Sequence, residues 1–92
     1  MRNLRDKVAF VTGGSSGIGL GIVKVLAEEG MTVAFSYRNA AHREEALAYF
    51  ASRPRQRVHP VELDVTDRAG LARTADRIER TLGPVQLLVN NA

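Results

Sequence analysis

The sequence predicts an α/β fold, a doubly wound parallel sheet with helices on both of its faces. Short apolar, β-branched runs alternate along the chain with longer segments whose apolar residues recur at helical spacing. No internal repeat or low-complexity segment interrupts the alternation, and a glycine-rich stretch, residues 12–19, separates the first strand from the first helix. Alternating β and α elements form parallel sheets through right-handed crossovers, so we expect the strand order 3-2-1-4.

The first strand–helix unit begins the chain. Residues 7–12 form an apolar run typical of a buried strand, and residues 17–29 have the pattern of a helix. Gly30 is placed to end that helix, because glycine readily adopts the conformation of a C-terminal cap. The apolar residues at helical spacing, which we expect to face the sheet, are Ile18, Ile22, Val25 and Leu26.

A second strand, a second helix and a third strand follow at residues 32–37, 41–52 and 57–63. Pro60 weakens the prediction of the third strand, because proline has no N–H to donate to a sheet. The apolar residues expected on one face of the second helix are Leu47, Phe50 and Ala51.

The third helix is expected to begin near Thr66, a suitable N-cap, with Asp67 favourable in the first turn. The pair Gly83-Pro84 ends this helix, and residues 85–90 form an apolar fourth strand. The expected buried stripe of the third helix comprises Leu71, Ala75, Ile78 and Leu82.

Composition places the chain among ordinary globular domains. Its 92 residues permit one small domain, and 45% hydrophobic and 25% charged residues are usual for a folded protein. The absence of cysteine excludes disulfides, thiolate metal sites and cysteine nucleophiles. His42 and His59 lack ligand spacing, so no metal is expected. No segment has the pattern of a signal peptide or the length of a membrane span, which favours a cytoplasmic protein without a membrane partner.

The net charge of +3 raises the question of nucleic-acid binding. Arg53, Arg55 and Arg57 do cluster, but they lie beside Pro54 in a predicted loop without interleaved aromatic residues. A solvated loop accounts for them better than a nucleic-acid surface.

Residues 12–19 have the features of a phosphate cradle. The N-terminus of a helix offers unpaired N–H groups and the positive end of the helix dipole. Gly13 permits a sharp exit from the strand, Gly17 permits close approach of a pyrophosphate, and Gly19 lets the helix pack on the strand. No lysine follows Gly19, which disfavours a nucleoside-triphosphatase loop. A flexible turn without a ligand is the alternative, and the flanking strand and helix favour a dinucleotide.

The other polar motifs also follow predicted strands. Besides the glycine-rich stretch, the carboxyl ends of the strands carry residues 37–38, 64–65 and 90–92. Carboxyl ends of parallel strands meet at one edge of the sheet, where ligands bind in open α/β folds. The sequence therefore predicts one site at this edge.

The pattern T-G-x-x-x-G-x-G of residues 12–19 resembles the cofactor loop of the short-chain dehydrogenase/reductase family. The segment at Asp64 resembles the family's adenine-contacting segment, and residues 90–92 resemble the start of its N-N-A-G motif. The resemblance spans essentially the whole chain. It implies that residues 1–92 are the N-terminal, Rossmann-type cofactor-binding domain of a longer, homo-oligomeric enzyme. Such an enzyme interconverts a carbonyl and an alcohol by hydride transfer with a dinucleotide.

NADP(H) is expected in preference to NAD(H). Tyr37 occupies the position where an NAD site usually carries an acidic residue for the ribose 2′-hydroxyl. The adjacent Arg38 is suited to pair with a 2′-phosphate, and it resembles the family's basic marker of NADP preference. The family's other basic marker is absent, since Ser16 stands there, but Ser15 and Ser16 offer hydroxyls near that phosphate. An exposed arginine at a strand end is the alternative interpretation of Arg38.

Asp64 ends an otherwise apolar strand. Its carboxylate is suited to accept a hydrogen bond from the adenine amino group while Val65 flanks the ring. The alternative is that Asp64 only caps a turn or the third helix.

Asn90 and Asn91 end the fourth strand, and their amides either tie loop backbone together or contact the ribose. The resemblance implies that Thr12 holds the loop to that strand through a side-chain hydrogen bond. It also includes Ile18 and Ala92 among the cofactor-binding residues.

No catalytic residue is assignable. The family uses a tyrosine proton donor with a lysine four residues later, together with a serine and a further asparagine, all beyond the N-N-A-G motif. Here Ala41 follows Tyr37 at that spacing, and Arg53 follows Tyr49. Residues 1–92 alone are therefore expected to be inactive.

Two other functions stay open. The first is a stand-alone module that binds NADP without turnover. The second is a domain that binds S-adenosylmethionine, which is disfavoured because no carboxylate follows the second strand. The apolar fourth strand would form an exposed edge in residues 1–92 alone, so we expect that fragment to aggregate, to be partly molten or to oligomerise.

Overall fold

Strands and helices alternate along residues 4–91, the part of the chain that the computed structural model describes. Within it, all strands are parallel and lie in the order β3-β2-β1-β4, which confirms the predicted topology. The elements are β1 (Val8–Thr12), α1 (Gly17–Glu28), β2 (Thr32–Tyr37), α2 (Ala40–Ala51), β3 (Arg57–Glu62), α3 (Arg68–Leu82) and β4 (Val85–Asn90).

Helices cover both faces of the sheet, as predicted. Alternate residues of β1 and β2 point to opposite faces, because side chains alternate along a strand. One face packs against α1 and α2 in a core of Ala9, Val11, Val23, Ala27, Met31, Val33, Phe35, Ala46 and Phe50. The other face packs against α3 in a smaller core of Val8, Phe10, Ala34, Leu63 and Ile78.

The predicted buried stripe of α1 is wrong at two positions. Ile18 is 78% exposed and Val25 is 61% exposed. The residues that α1 buries are instead Gly19, Val23 and Ala27. Small residues allow the helix to approach the sheet closely, and this close approach decides the rotation of the helix about its axis.

The other two helices differ from the prediction in smaller ways. In α2 the residue Ala51 is exposed, and Ala46 is buried together with Phe50. In α3 Ile78 is buried as expected, whereas the fully buried neighbours are Gly70 and Thr74. The remaining residues of the predicted α3 stripe, Leu71, Ala75 and Leu82, are only half-buried.

The ends of the helices follow the sequence with one correction. Gly30 has φ +92° and donates its N–H to the Ala27 carbonyl, which confirms its place at the end of α1. The N-cap of α3 is Asp67, whose carboxylate accepts from the Gly70 N–H at 3.0 Å, and not Thr66. Thr66 lies one residue before the N-cap, and its hydroxyl donates to Asp64 at 2.6 Å.

Both edges of the described sheet are consistent with the sequence. Pro60 lies on the edge strand β3 opposite Phe35, a place that tolerates a residue without an N–H. At the other edge, β4 exposes 38% of Leu87 and 61% of Leu88. The uncovered apolar surface predicted for the fourth strand is therefore present.

Candidate functional site

A cleft of about 300 Å³ opens at the carboxyl edge of the sheet. Its walls come from the loop after β1, the end of β2, the start of α2 and the segment after β3. The lining residues named from sequence are Gly13, Ser15, Ser16, Tyr37, Arg38 and Val65. Leu63, the first residue of the segment that resembles the adenine-contacting one, also lines the cleft, and sequence reasoning missed three further lining residues, Ser36, Asn39 and His42.

Backbone conformation explains Gly13 and Gly17, and a close contact explains Gly19. Gly13 has φ +65° and Gly17 has φ +58°, conformations that other residues adopt at a cost. A β-carbon on Gly17 would meet no atom within 4 Å, so the backbone there borders open space. A β-carbon on Gly19 would overlap the Gly13 carbonyl oxygen. The loop therefore turns tightly, leaves room for a ligand and lets α1 lie directly against it.

The first residues of the loop are held from both sides. The Gly13 N–H donates to the Ser36 hydroxyl at 2.8 Å, and the Gly14 N–H donates to the Ser36 carbonyl at 3.1 Å. From the β4 side, the Asn91 side-chain amide donates to the Gly13 carbonyl at 3.3 Å. Residues from β2 and from the end of β4 thus fix the same glycine.

Thr12 joins the loop to β4, as predicted. Its hydroxyl, on a residue only 2% exposed, donates to the Asn90 side-chain carbonyl at 3.0 Å. The same oxygen accepts from the Asn91 N–H at 3.0 Å. The Asn91 amide therefore holds loop backbone, one of the two roles expected for the asparagines, whereas the Asn90 amide holds the Thr12 side chain.

The N-terminus of α1 has no side-chain cap. Ser16 is the N-cap residue, but its side chain makes no capping hydrogen bond, and no acidic residue lies in the first turn. The first helical bond runs from the Leu20 N–H to the Ser16 carbonyl at 3.2 Å. Within residues 4–91, the N–H groups of residues 17–19 have no acceptor, and the N-cap residue Ser16 lines the cleft together with the buried Ser15. Such an arrangement binds anions.

Two arginines lie at the end of β2 and the start of α2. Arg38 is exposed, and its guanidinium lies 3.7 Å from the Asp64 carboxylate. Arg43 donates to the Tyr37 hydroxyl at 3.1 Å and lies 5.2 Å from the centroid of its ring. The hydrogen bonds to Tyr37 and, with a smaller effect, to Glu44 raise the pKa of Arg43. Its guanidinium therefore stays positively charged. Arg43 escaped sequence reasoning because no motif marks the second turn of α2.

Asp64 forms the turn contact that was one of its two interpretations. One carboxylate oxygen accepts from the Thr66 hydroxyl at 2.6 Å and from the Thr66 N–H at 2.9 Å. These two hydrogen bonds, and to a smaller extent the charge of Arg38, hold the pKa of Asp64 below its usual range. The other oxygen lies 3.7 Å from the Arg38 guanidinium.

The remaining predicted residues lie around the cleft. Ile18 is exposed at the amino-terminal end of α1, whereas Gly19 is buried behind the loop. Asn90 lies at the end of β4, and its side-chain carbonyl accepts a hydrogen bond from the Thr12 hydroxyl. Ala92 lies outside the described residues.

The fold and this edge define an α/β domain of the nucleotide-binding type. A family profile for short chain dehydrogenases matches residues 7–92, and the chain belongs to that family. Members of the family are oxidoreductases that bind a nicotinamide dinucleotide.

Individual relatives agree with this assignment. The NADP-dependent (R)-specific alcohol dehydrogenase of Lentilactobacillus kefiri is 40% identical over 89 residues, which are 97% of this chain and 34% of the relative. The curated relatives are much longer, and the chain covers between 30% and 39% of their length.

Solved structures show the same fold. The apo form of LigO from Sphingobium sp. strain SYK-6 has a TM-score of 0.88 and 49% identity, over 96% of this chain and 33% of that protein. A blue fluorescent protein from a metagenomic library, solved in complex with NADPH, has a TM-score of 0.86 and 38% identity, over 99% of this chain and 38% of that protein. Across residues 4–91, no helix is both long and apolar enough to cross a membrane.

Proposed function

We propose that residues 1–92 form the cofactor-binding domain of an NADP(H)-dependent oxidoreductase that interconverts a carbonyl and an alcohol. The observation that carries the proposal is the uncapped N-terminus of α1, which meets an open, glycine-lined space at the carboxyl edge of the sheet. Free N–H groups beside such a space fit a pyrophosphate. The NADPH complex of a relative in this fold also supports the proposal.

Different residues around the cleft bind different parts of the dinucleotide. The glycine-rich loop, with Ser15, Ser16 and Ile18, holds the pyrophosphate through N–H groups and hydroxyls. Asp64 and Val65 hold the adenine ring, because the carboxylate stays ionised as an acceptor and Val65 lines the cleft. The residues proposed to approach the ribose from the end of the fourth strand are Asn90 and Ala92.

Arg38 selects the phosphorylated cofactor. It follows β2 on the rim of the cleft, where Tyr37 stands in place of an acidic residue, and the Asp64 carboxylate 3.7 Å from its guanidinium is the group that a 2′-phosphate would displace. Arg43 supports this arrangement, since it holds the Tyr37 hydroxyl and adds a second positive charge nearby. A planar guanidinium pairs well with phosphate oxygens.

When bound, the nicotinamide supplies or accepts the hydride that is exchanged with the carbonyl carbon of the substrate. Residues 1–92 contain no tyrosine followed four residues later by lysine. We propose that the proton-donating residues belong to the remainder of a longer, homo-oligomeric and cytoplasmic protein. By themselves, residues 1–92 should reduce no carbonyl compound with NADPH.

Cofactor titrations test the proposal. NADPH should bind more tightly than NADH by about ten- to hundredfold, because a hydrogen-bonded charge pair contributes about 1.5–3 kcal/mol. Arg38→Ala should remove most of this difference by weakening NADPH alone, and nicotinamide fluorescence measures both dissociation constants. Arg73→Ala, at an exposed arginine on α3, is the matched control. Equal affinities in the unsubstituted protein would contradict the NADP preference.

A stand-alone NADP-binding module is the second candidate. This candidate would be favoured if residues 1–92 alone were monodisperse, melted cooperatively, bound NADPH tightly and turned over no substrate. Aggregation or partial melting of that fragment, caused by the exposed Leu87 and Leu88, would favour the longer enzyme.

A further inference from the structure

We infer that Ser36 is a positioning residue, which sets the place of the glycine-rich loop and through it the pyrophosphate site. This inference rests on the proposed function. Ser36 is the penultimate residue of β2, it is 1% exposed, and it lines the cleft. No motif of the sequence identifies it.

Ser36 binds two successive amides of the loop. Its hydroxyl accepts from the Gly13 N–H at 2.8 Å, and its carbonyl accepts from the Gly14 N–H at 3.1 Å. The carbonyl contact would survive any substitution, whereas the hydroxyl contact depends on the side chain. A buried hydroxyl is costly unless it is hydrogen-bonded, and here the loop amide provides that bond.

The contact is transmitted to the N-terminus of α1 through Gly13. The Gly13 carbonyl is held by Asn91, so both polar groups of this glycine have a partner. The same carbonyl lies where a β-carbon of Gly19 would be, which means that α1 rests directly on it. A shift of Gly13 therefore moves the first turn of α1 together with its free N–H groups.

The position of Ser36 predicts that loss of its hydroxyl changes cofactor affinity in a different way from loss of the Arg38 guanidinium. The pyrophosphate is common to both cofactors, whereas the 2′-phosphate belongs to one of them. Loss of the Ser36 hydroxyl should weaken NADPH and NADH by the same factor and leave their ratio unchanged. Loss of a 2′-phosphate contact changes the ratio.

The experiment compares Ser36→Ala, Ser36→Cys and Ser36→Thr in the purified protein. Dissociation constants for NADPH and NADH come from fluorescence titration, and thermal unfolding without cofactor shows that each variant is folded. Cysteine keeps the volume but accepts hydrogen bonds weakly, whereas threonine keeps the hydroxyl. The matched control is Thr74→Ala, because Thr74 is also a buried hydroxyl residue, 7% exposed, but lies on α3 away from the loop.

Ser36→Ala and Ser36→Cys should each weaken both cofactors by roughly fivefold to thirtyfold, the cost of one buried hydrogen bond. Ser36→Thr should recover most of the affinity, and Thr74→Ala should change melting temperature only. Unchanged affinities in folded Ser36→Ala and Ser36→Cys would show that the hydroxyl serves the fold alone. A selective loss of NADPH would likewise overturn the inference. Absence of dinucleotide binding by the unsubstituted protein would instead refute the proposed function.

Discussion

The N-terminus of α1 differs from those of α2 and α3 in what satisfies the free N–H groups. Asn39 caps α2 by accepting from the N–H groups of Ala41 and His42, at 2.8 and 3.3 Å. Asp67 caps α3 by accepting from Gly70. Ser16 is the N-cap residue of α1, but its side chain accepts no hydrogen bond from the N–H groups at the start of that helix.

This difference separates a structural helix end from a binding one. A side-chain cap contributes about 0.5–2 kcal/mol to stability, and two of the three described helices have it. At α1 the sequence provides a serine that could cap, but its side chain leaves the first N–H groups without an acceptor, and Ser16 itself lines the cleft. An anion that binds there is stabilised by the positive end of the helix dipole as well as by hydrogen bonds.

The largest effect is expected from Gly17→Val. The substitution places a β-branched residue at φ +58° and directs its side chain into the space proposed for the pyrophosphate. NADPH affinity should fall by on the order of a hundredfold or more, equivalent to about 2.8 kcal/mol, while helix content by circular dichroism largely persists.

Gly21→Ala is the matched control for this change. Gly21 also lies in α1 with open space around it, but its backbone is helical. Alanine there should stabilise the protein by about 0.5–1 kcal/mol without changing the affinity. Unchanged NADPH binding by Gly17→Val would show that the loop is only a turn.

An intermediate effect is expected from Ser16→Asp, which gives α1 the kind of cap that α3 has. A carboxylate at the N-cap favours the helix by about 0.3–1 kcal/mol and raises the melting temperature. The same charge competes with a phosphate for the N–H groups, so affinity for both cofactors should fall about tenfold. Ser16→Asn introduces an uncharged cap. It competes for the N–H groups without repelling the phosphate, so comparison with Ser16→Asp separates the two effects. Greater stability with unaltered affinity would contradict the anion site.

The smallest effect is expected from Asp67→Ala at the capped end of α3. Loss of the cap should lower the free energy of unfolding by about 1 kcal/mol, because the Gly70 N–H loses its acceptor. Cofactor affinity should stay within experimental error, since this cap lies outside the cleft lining. Denaturant unfolding and NADPH titration measure the two quantities. A marked loss of affinity would mean that the two helix ends are not functionally distinct.

The sequence predicted the fold because its signals are local. β1, β2 and β4 are short, mainly apolar runs, and the predicted bounds of β2 and β4 agree with the structure. The roles of Gly13 and Gly19 were also predictable, because a turn with positive φ and a close helix contact both require a missing side chain. The convergence of the polar motifs followed from the parallel topology alone.

Tertiary packing decided what local patterns could not. Ile18 and Val25 have helical spacing but face outward, because the sheet accepts the face of α1 with the smaller residues. Thr66 and Asp67 are both good N-caps, and in the structure Asp67 caps α3 while the Thr66 hydroxyl bonds to Asp64. Only the structure shows the contact of Ser36 with Gly13, since residues 23 positions apart meet through strand pairing. Local chemistry thus determined the elements and the cradle, and long-range contacts determined which side chains hold the cradle in place.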